Sequence, residues 1–424
     1  MAVNGAMRDG AAGRVVDAVW RMESARIVGL LARMLRDVGR AEELAQDALV
    51  EALECWPRDG LPDNPAAWLT QVAKRRALDY LRHLAMHAAK EGELTWELET
   101  RLQDLQRDPE AEAAQAIDDD VLRLIFVACH PLLPAEGRAA LTLKVVAGLS
   151  TLEIARAFLV PEPTVAQRIV RAKRTLAEAR VPFEVPAGAE LAPRLASVLQ
   201  VLYLIFNEGY SASAGADLLR PGLCREALRL GRILAALVPH EGEVLGLLAL
   251  MEIQSSRERA RTRPDGEPVL LLEQDRARWD RLAIRRGLDA LDAAGRLGAL
   301  GPYALQAAIA ACHARALRPE DTDWARIAAL YDALAQAMPS PVVELNRAVA
   351  LAMAFGPESG LSIVDGLLGD ERLRHYHLLP SVRGDLLAKL GRHAEARAEF
   401  ERAAALTQNE RERTLLLARA AAAE

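Results

Sequence analysis

The 424-residue sequence predicts an almost wholly α-helical protein, on three observations. It is rich in Ala, Leu, Arg and Glu, which are strong helix formers. Alternating β-branched runs are missing throughout, and only 4% of residues are aromatic. Apolar residues recur instead at spacings of three and four, the period of a helix with one buried stripe. With 51% hydrophobic residues the chain can bury the cores of two or three domains. A net charge of −6 excludes a polycation, so any nucleic-acid contact must come from local basic patches. Cys55, Cys129, Cys224 and Cys312 form no CxxC pair, which fits a reducing compartment and argues against a zinc ribbon or a disulfide framework. All four read as core residues. The N-terminal MAVNGAMRDGAAGR lacks a long apolar run, and no later segment approaches the roughly 18 uninterrupted apolar residues of a membrane span. The expectation is a cytoplasmic protein with no membrane partner.

In chain order, the first helix spans Gly13 to Asp37, with Val15, Val19, Ile27, Leu30, Met34 and Leu35 at helical spacing. A second, from about Ala41 to Cys55, packs Leu44, Ala45, Ala48, Leu49 and Ala52 and leaves Glu43, Gln46, Asp47, Val50 and Glu54 on the other side. An exposed Val among acids suggests a docking face, although an ordinary acidic surface has the same pattern. Trp56-Pro57 through Asn64-Pro65 reads as a loop, followed by a helix from Ala66 to about His87. Trp68, Val72, Arg75, Asp79, Arg82 and His83 share one face of it, with Arg76 at the edge. Rings that stack and cations that hold phosphates suit a partly opened duplex, while Trp68 alone could equally be core. Between Glu91 and Asp120 lie eleven acids and two arginines without an apolar stripe, read as a flexible linker. Helices over Asp119–Ala128 and Pro134–Ala147 follow. Cys129-His130-Pro131 sits at a helix end and lacks further ligands at metal-binding spacing.

The most informative stretch is Leu149 to Arg180. Ser150 and Glu153 form a capping box that starts a short helix. Val160-Pro161-Glu162-Pro163 then breaks it and suits the first turn of another. In this second helix Val165, Ile169, Ala172 and Leu176 fall on one side, while Thr164, Gln167, Arg168, Arg171 and Thr175 fall roughly opposite. Five Lys/Arg and one acid between Thr164 and Arg180 make the exposed side cationic. Such a helix suits a DNA groove, where Arg can bridge guanine acceptors and Gln can pair with adenine. A solvated amphipathic helix is the alternative.

Taken together, the order of these parts resembles the bacterial RNA polymerase sigma factors of the sigma-70 family, in the extracytoplasmic-function (ECF) subfamily. AEELAQDALVEAL (Ala41 to Leu53) is similar to the family's polymerase-clamp helix. NPAAWLTQVAKRRALDYLRH (Asn64 to His83) is similar to its promoter-melting helix, and Leu149 to Arg180 to its C-terminal helix-turn-helix. The resemblance implies that Glu43, Gln46, Asp47 and Val50 contact the β′ coiled coil of core RNA polymerase. It implies that Asn64, Trp68, Arg75, Arg76 and Arg82 engage the melted minus-10 element of promoter DNA. Thr164, Gln167, Arg168, Arg171 and Arg174 would read the minus-35 element. One departure is Ala166-Gln167, where many relatives carry Lys-Ser, which implies a different preferred promoter. The domain reading is sigma region 2 over 12–88, an acidic linker over 89–117, sigma region 4 over 118–182 and a C-terminal extension over 187–424.

The extension reads as a TPR-like run of helix pairs. In LLAKLGRHAEARAEFERAAAL the residues Gly391, Ala396, Phe400 and Ala403 follow tetratricopeptide spacing. Weaker pairs are Asp323–Met338 with Val342–Ala354 and Gly222–Leu237 with Glu241–Ile253. The segments LYLIFNEGYSAS, LCREALRLGR, QAAIAACHA, DTDW and SPVVELNRAVA resemble the tails of one ECF group. Polar residues inside apolar helices, Asn207-Glu208, His313 and Glu344-Asn346-Arg347, could line a ligand groove or cross-link adjacent repeats. No phosphate loop, HExxH or nucleophile elbow is present, and His375 with His377 make a weak metal signal. The expectation is no catalytic residue, cofactor or metal. The functional reading is a sigma factor whose tail takes a protein or small-molecule regulator; the alternative is a stand-alone helix-turn-helix regulator with a sensor domain.

Overall fold

The computed structural model describes residues 2–91, 113–158, 160–212, 214–215 and 218–423. They are helical almost throughout and divide into two compact units, Met1–Leu202 and Tyr203–Glu424.

In the first unit, α1 (Ala2–Leu35) packs against α2 (Val38–Asp59), α3 (Pro65–Glu91) and α4 (Ala113–Ala128). Then come α5 (Ala135–Val145), α6 (Thr151–Phe158) and α7 (Glu162–Glu178), and α8 (Leu191–Tyr210) crosses the boundary. Ile27 and Leu31 of α1, Leu69 and Leu81 of α3, and Leu124 and Phe126 of α4 are buried, which is why these helices gather.

Several boundaries differ from the sequence reading. Helix α2 continues through Trp56-Pro57, expected as loop, and ends where Gly60 takes φ 92. Trp56 is 3% exposed, so its burial holds a turn that a proline would otherwise weaken. Helix α1 begins eleven residues earlier than expected, and α4 starts at Ala113, inside the segment read as linker. The rest of that expected linker, 92–112, lies outside the described residues. Cys55 is only half-buried, unlike Cys129, Cys224 and Cys312, because it stands at the edge of the α2 stripe. Among the described residues one helix, α8 with the turn before it, is long and apolar enough to cross a membrane, contrary to the expectation. Its Val198, Leu199, Val201, Leu202, Ile205 and Phe206 are buried inside protein, as in the core helix of a folded domain.

In the second unit α9 (Pro221–Leu237), α10 (Gly242–Ser255), α11 (Arg281–Leu297), α12 (Pro302–Arg315), α13 (Trp324–Ala337) and α14 (Pro341–Phe355) follow as successive packed pairs. They continue into α15 (Pro357–Leu367), α16 (Leu378–Lys389), α17 (His393–Leu406) and α18 (Glu410–Ala422). In the α16–α17 hairpin the Phe400 ring lies over Gly384, where a Cβ would come within 2.9 Å of it. Gly391 makes the turn at φ 74, and Ala396 and Ala403 are fully buried beneath it. The sole strand pair among the described residues is short: β1 (Ala214–Gly215) lies parallel to β2 (Gln408–Asn409). Asn409 is wholly buried, caps α18 by accepting from Arg411 and Glu412 amides, and donates to the Ala212 carbonyl at 3.2 Å.

Candidate nucleic-acid and polymerase interface

The capping box forms in full at the start of α6. Ser150 N–H and Oγ donate to Glu153 Oε2, each at 2.8 Å, and Glu153 N–H donates back to Ser150 Oγ at 3.1 Å. Burial would raise the Glu153 carboxyl, but the Ser150 bonds and the adjacent Arg21 outweigh it and hold it below the usual range. Pro161 precedes α7, and Pro163 occupies its first turn.

On α7 Val165, Ile169, Ala172 and Leu176 are all buried. Gln167, Arg171 and Arg174 are exposed, with Thr164 and Arg168 half-buried beside them. Arg174 pairs along the helix with Glu178 at 2.6 Å. The five candidate readers therefore share one side of α7. Lys173 lies off that side and reaches Glu42 of α2 at 2.5 Å, while Lys144 of α5 reaches the other Glu42 oxygen at 3.5 Å. Beside this contact a groove of about 1010 Å³ is lined by Arg33, Arg36, Arg123, Lys173 and Arg180, with Asp37 and Glu184 as the acids. Arg33 and Arg123 of that lining both hold Asp120, which is fully buried, at 2.9 and 2.7 Å.

On α2 Glu43, Asp47 and Val50 are exposed, Val50 at 51%, and Gln46 is half-buried next to them. Their position follows from burial of Ala41, Leu44, Ala45, Ala48 and Ala52 on the opposite stripe. Asp37 caps the helix by accepting from the Arg40 amide at 3.0 Å.

The candidates on α3 are less uniform. Asn64 caps the helix through the Ala67 amide at 3.1 Å and is itself exposed. Trp68 is half-buried and meets Trp56 edge-on, ring centres 5.4 Å apart. Val72, expected on the outer face, is 7% exposed and belongs to the core. Arg76 pairs with Glu51 at 2.7 Å and approaches Asp47 at 3.8 Å, and Arg75 reaches Glu51 at 3.2 Å. Arg82 pairs with Asp79 at 3.1 Å. Acids of α2 thus neutralise Arg75 and Arg76 along the seam between the two helices, while Arg82 pairs within α3. Sequence reasoning missed Glu51 and Glu42. Glu51 stands four residues after Asp47 and was visible on the same helical wheel; nothing local marks Glu42 as inward-facing.

Two family models describe this unit: Sigma-70 region 2 matches residues 19–85, and Sigma-70, region 4 matches residues 123–176. The chain is 32% identical over 155 residues to the ECF RNA polymerase sigma factor SigK of Mycobacterium ulcerans, covering 36% of this chain and 78% of that protein. The chain belongs to the ECF sigma factors. This sigma factor is also 28% identical over 166 residues to the probable ECF RNA polymerase sigma factor SigI of Mycobacterium tuberculosis, spanning 56% of that protein. An uncharacterized protein of Rhizobium meliloti is 48% identical over 387 residues, 90% of this chain and 89% of its own, so the likeness there includes the tail. Within the sigma factor's tail, residues 194–295 match a family of unknown function, DUF6596. No solved structure matches the chain. As a family, sigma factors bind core RNA polymerase and promoter DNA and initiate transcription rather than catalyse a reaction. Among the described residues no group of three or more His, Cys, Asp or Glu is placed to hold a metal ion.

Proposed function

We propose that this sigma factor docks on the β′ coiled coil of core polymerase through Glu43, Gln46, Asp47 and Val50. Segments 12–88 and 118–182 act as regions 2 and 4, working in the cytoplasm where the polymerase is. The loop ending at Asn64 and the α3 residues Trp68, Arg75, Arg76 and Arg82 engage the melted minus-10 element. Thr164, Gln167, Arg168, Arg171 and Arg174 read the minus-35 element in the major groove. The observation that carries this reading is the split of α7, with four apolar residues buried and Gln167, Arg171 and Arg174 exposed on one helix. Arg75 and Arg76 have an immediate alternative partner in Glu51, and Arg82 in Asp79, so phosphate binding there exchanges one ion pair for another. Exposed pairs of this type contribute about 0–1 kcal/mol, small enough for the exchange.

The tail, 187–424, regulates this activity in the same reading and is required for it, answering to a protein or small-molecule regulator. Its placement in the same chain keeps the regulatory surface at high effective concentration near the DNA-binding helices.

The docking face is tested by co-purification of core polymerase with a variant carrying Glu43→Lys, Gln46→Lys and Asp47→Lys. These side chains are at least partly exposed, so the fold should survive, each change costing about 0.5 kcal/mol or less. Loss of core binding is expected. Undiminished binding rejects the docking face and favours a helix-turn-helix regulator that works without polymerase.

A further inference from the structure

Three polar residues that interrupt apolar helices far apart in sequence, Asn207, His313 and Asn346, line one cavity of about 290 Å³ in the second unit. Its walls come from α8, α10, α12, α13 and α14. Two of its polar side chains are more than nine-tenths buried and incompletely bonded: Arg257 is 9% exposed with Nε unpartnered, and His313 is 8% exposed with Nδ1 unpartnered.

The charge balance of the lining is one-sided. Among the described residues Arg257 is its only Lys or Arg, and no Asp or Glu contributes to it. Among the described residues no carboxylate pairs with Arg257 at ion-pair distance; the guanidinium donates to Tyr210 Oη at 2.5 Å and to Gln254 Oε1, and faces the Tyr210 and Trp279 rings at 5.7 and 5.8 Å. Ring faces offset part of the desolvation of a buried cation, but a buried charge without a counter-ion remains costly. Burial, with Arg257 and Arg276 close by, lowers His313 to about 4, so the imidazole is neutral at neutral pH and the lining keeps a single positive charge. Arg276 itself is committed to structure, holding the His313 and Ala316 carbonyls at 2.9 and 2.8 Å and Thr322 Oγ1 at 3.1 Å.

The remaining lining suits a flat, hydrogen-bonding body. Tyr203, His313 and Tyr331 supply rings, and Gln254 and Gln306 supply amides, with Asn207 and Asn346 exposed at the mouth. Tyr203 donates to Gln306 Oε1 at 3.1 Å, and Gln306 in turn donates to the Pro302 carbonyl at 3.2 Å, so the amide is held in place before anything binds.

We propose that this cavity is a binding site for a small planar organic monocarboxylate, with the carboxylate on the Arg257 guanidinium and the ring against the aromatic and amide walls. The planar fork of arginine matches a carboxylate, and one cation that no described carboxylate neutralises matches one negative charge. The site does not rest on the regulatory role of the tail, because binding is read on the protein alone.

Isothermal titration calorimetry on the full chain tests it, with 4-hydroxybenzoate and nicotinate as probes and 4-hydroxybenzamide as the uncharged counterpart of the first. Saturable binding at one site per chain is expected for at least one carboxylate, with 4-hydroxybenzamide weaker than 4-hydroxybenzoate by about tenfold or more. Arg257→Gln should abolish the preference for the charged probe. Should that variant fail to fold, Asn207→Trp provides the second reading: the residue is exposed, and an indole at the mouth should weaken probe binding while leaving the melting temperature near that of the parent. No heat from either carboxylate at millimolar concentration, equal binding of the amide, or unchanged binding in a folded Arg257→Gln or Asn207→Trp variant overturns the proposal.

Discussion

Glu42 is the only acid of α2 that is buried, and lysines from two helices distant in sequence meet it. Removing it leaves Lys144 and Lys173, both mostly buried, without their partner. Glu42→Ala should therefore lower stability by about 2 kcal/mol or more in urea unfolding, against about 0.5 kcal/mol or less for the exposed neighbour Glu43→Ala. Equal effects at the two positions would show that the inward pair contributes little. Glu153 is a local counterpart. Its carboxyl sits below its unfolded value, so its stabilisation is complete above the unfolded pKa and is lost as pH falls through the folded one. Ser150→Ala should cost about 1 kcal/mol at neutral pH, and the difference from the parent should shrink in acid. A difference that grows in acid would reverse the assigned sign. The two residues also differ in how far the sequence discloses them. Ser150 and Glu153 are three apart, and their spacing alone specifies the bond; Glu42 lies 131 residues from Lys173, and no local pattern joins them.

At the scale of elements, helical period located α7 well because its buried and exposed stripes both repeat within one helix. The same method read α2 as ending at Cys55, since Pro57 is a breaker by propensity, whereas packing of Trp56 carries the helix to Asp59. The α2–α3 seam was out of reach for the same reason as Glu42: Arg76 and Glu51 are matched by packing across 25 residues. For α7, Gln167→Ala and Arg168→Ala should each weaken binding to the cognate promoter by about 1–3 kcal/mol and relax base preference. Lys173→Ala should instead lower the unfolding midpoint through loss of the Glu42 pair and leave base preference intact. Competition against mismatched sites, run beside thermal melts, separates the two, and greater loss of discrimination in Lys173→Ala would contradict the assignment. In the tail, Gly384→Ala places a methyl about 2.9 Å from the Phe400 ring and should cost about 1–3 kcal/mol. An unchanged melting temperature would mean that the α16–α17 contact has room for the added methyl.

On the scale of the whole molecule, the sequence disclosed the helical class, the helix-turn-helix and the paired helices of the tail, because each rests on local period or small-residue spacing. It did not disclose that Asn207, His313 and Asn346 converge, nor that β1 and β2 pair across almost 200 residues, because both depend on how distant helices stack. The structure also shifts where the tail is best removed. Ser197 of α8 donates to the Cys129 carbonyl at 2.5 Å, and Arg194 to the Phe126 carbonyl at 3.0 Å, so a cut after Pro186 strips bonds from the end of α4 and the turn after it that a cut after Leu202 keeps. The measurement that bears most directly on the account is in vitro transcription of genomic DNA by purified core polymerase, with transcript starts read by 5′-end sequencing. The full chain should yield transcripts from a defined promoter set, the triple charge-reversal variant of Glu43, Gln46 and Asp47 should yield none, and a fragment ending at Leu202 should bind core polymerase yet transcribe poorly. Promoter-specific transcripts from the charge-reversal variant, or none from the full chain, would contradict the account, and full activity of the fragment would reject the activating role of the tail.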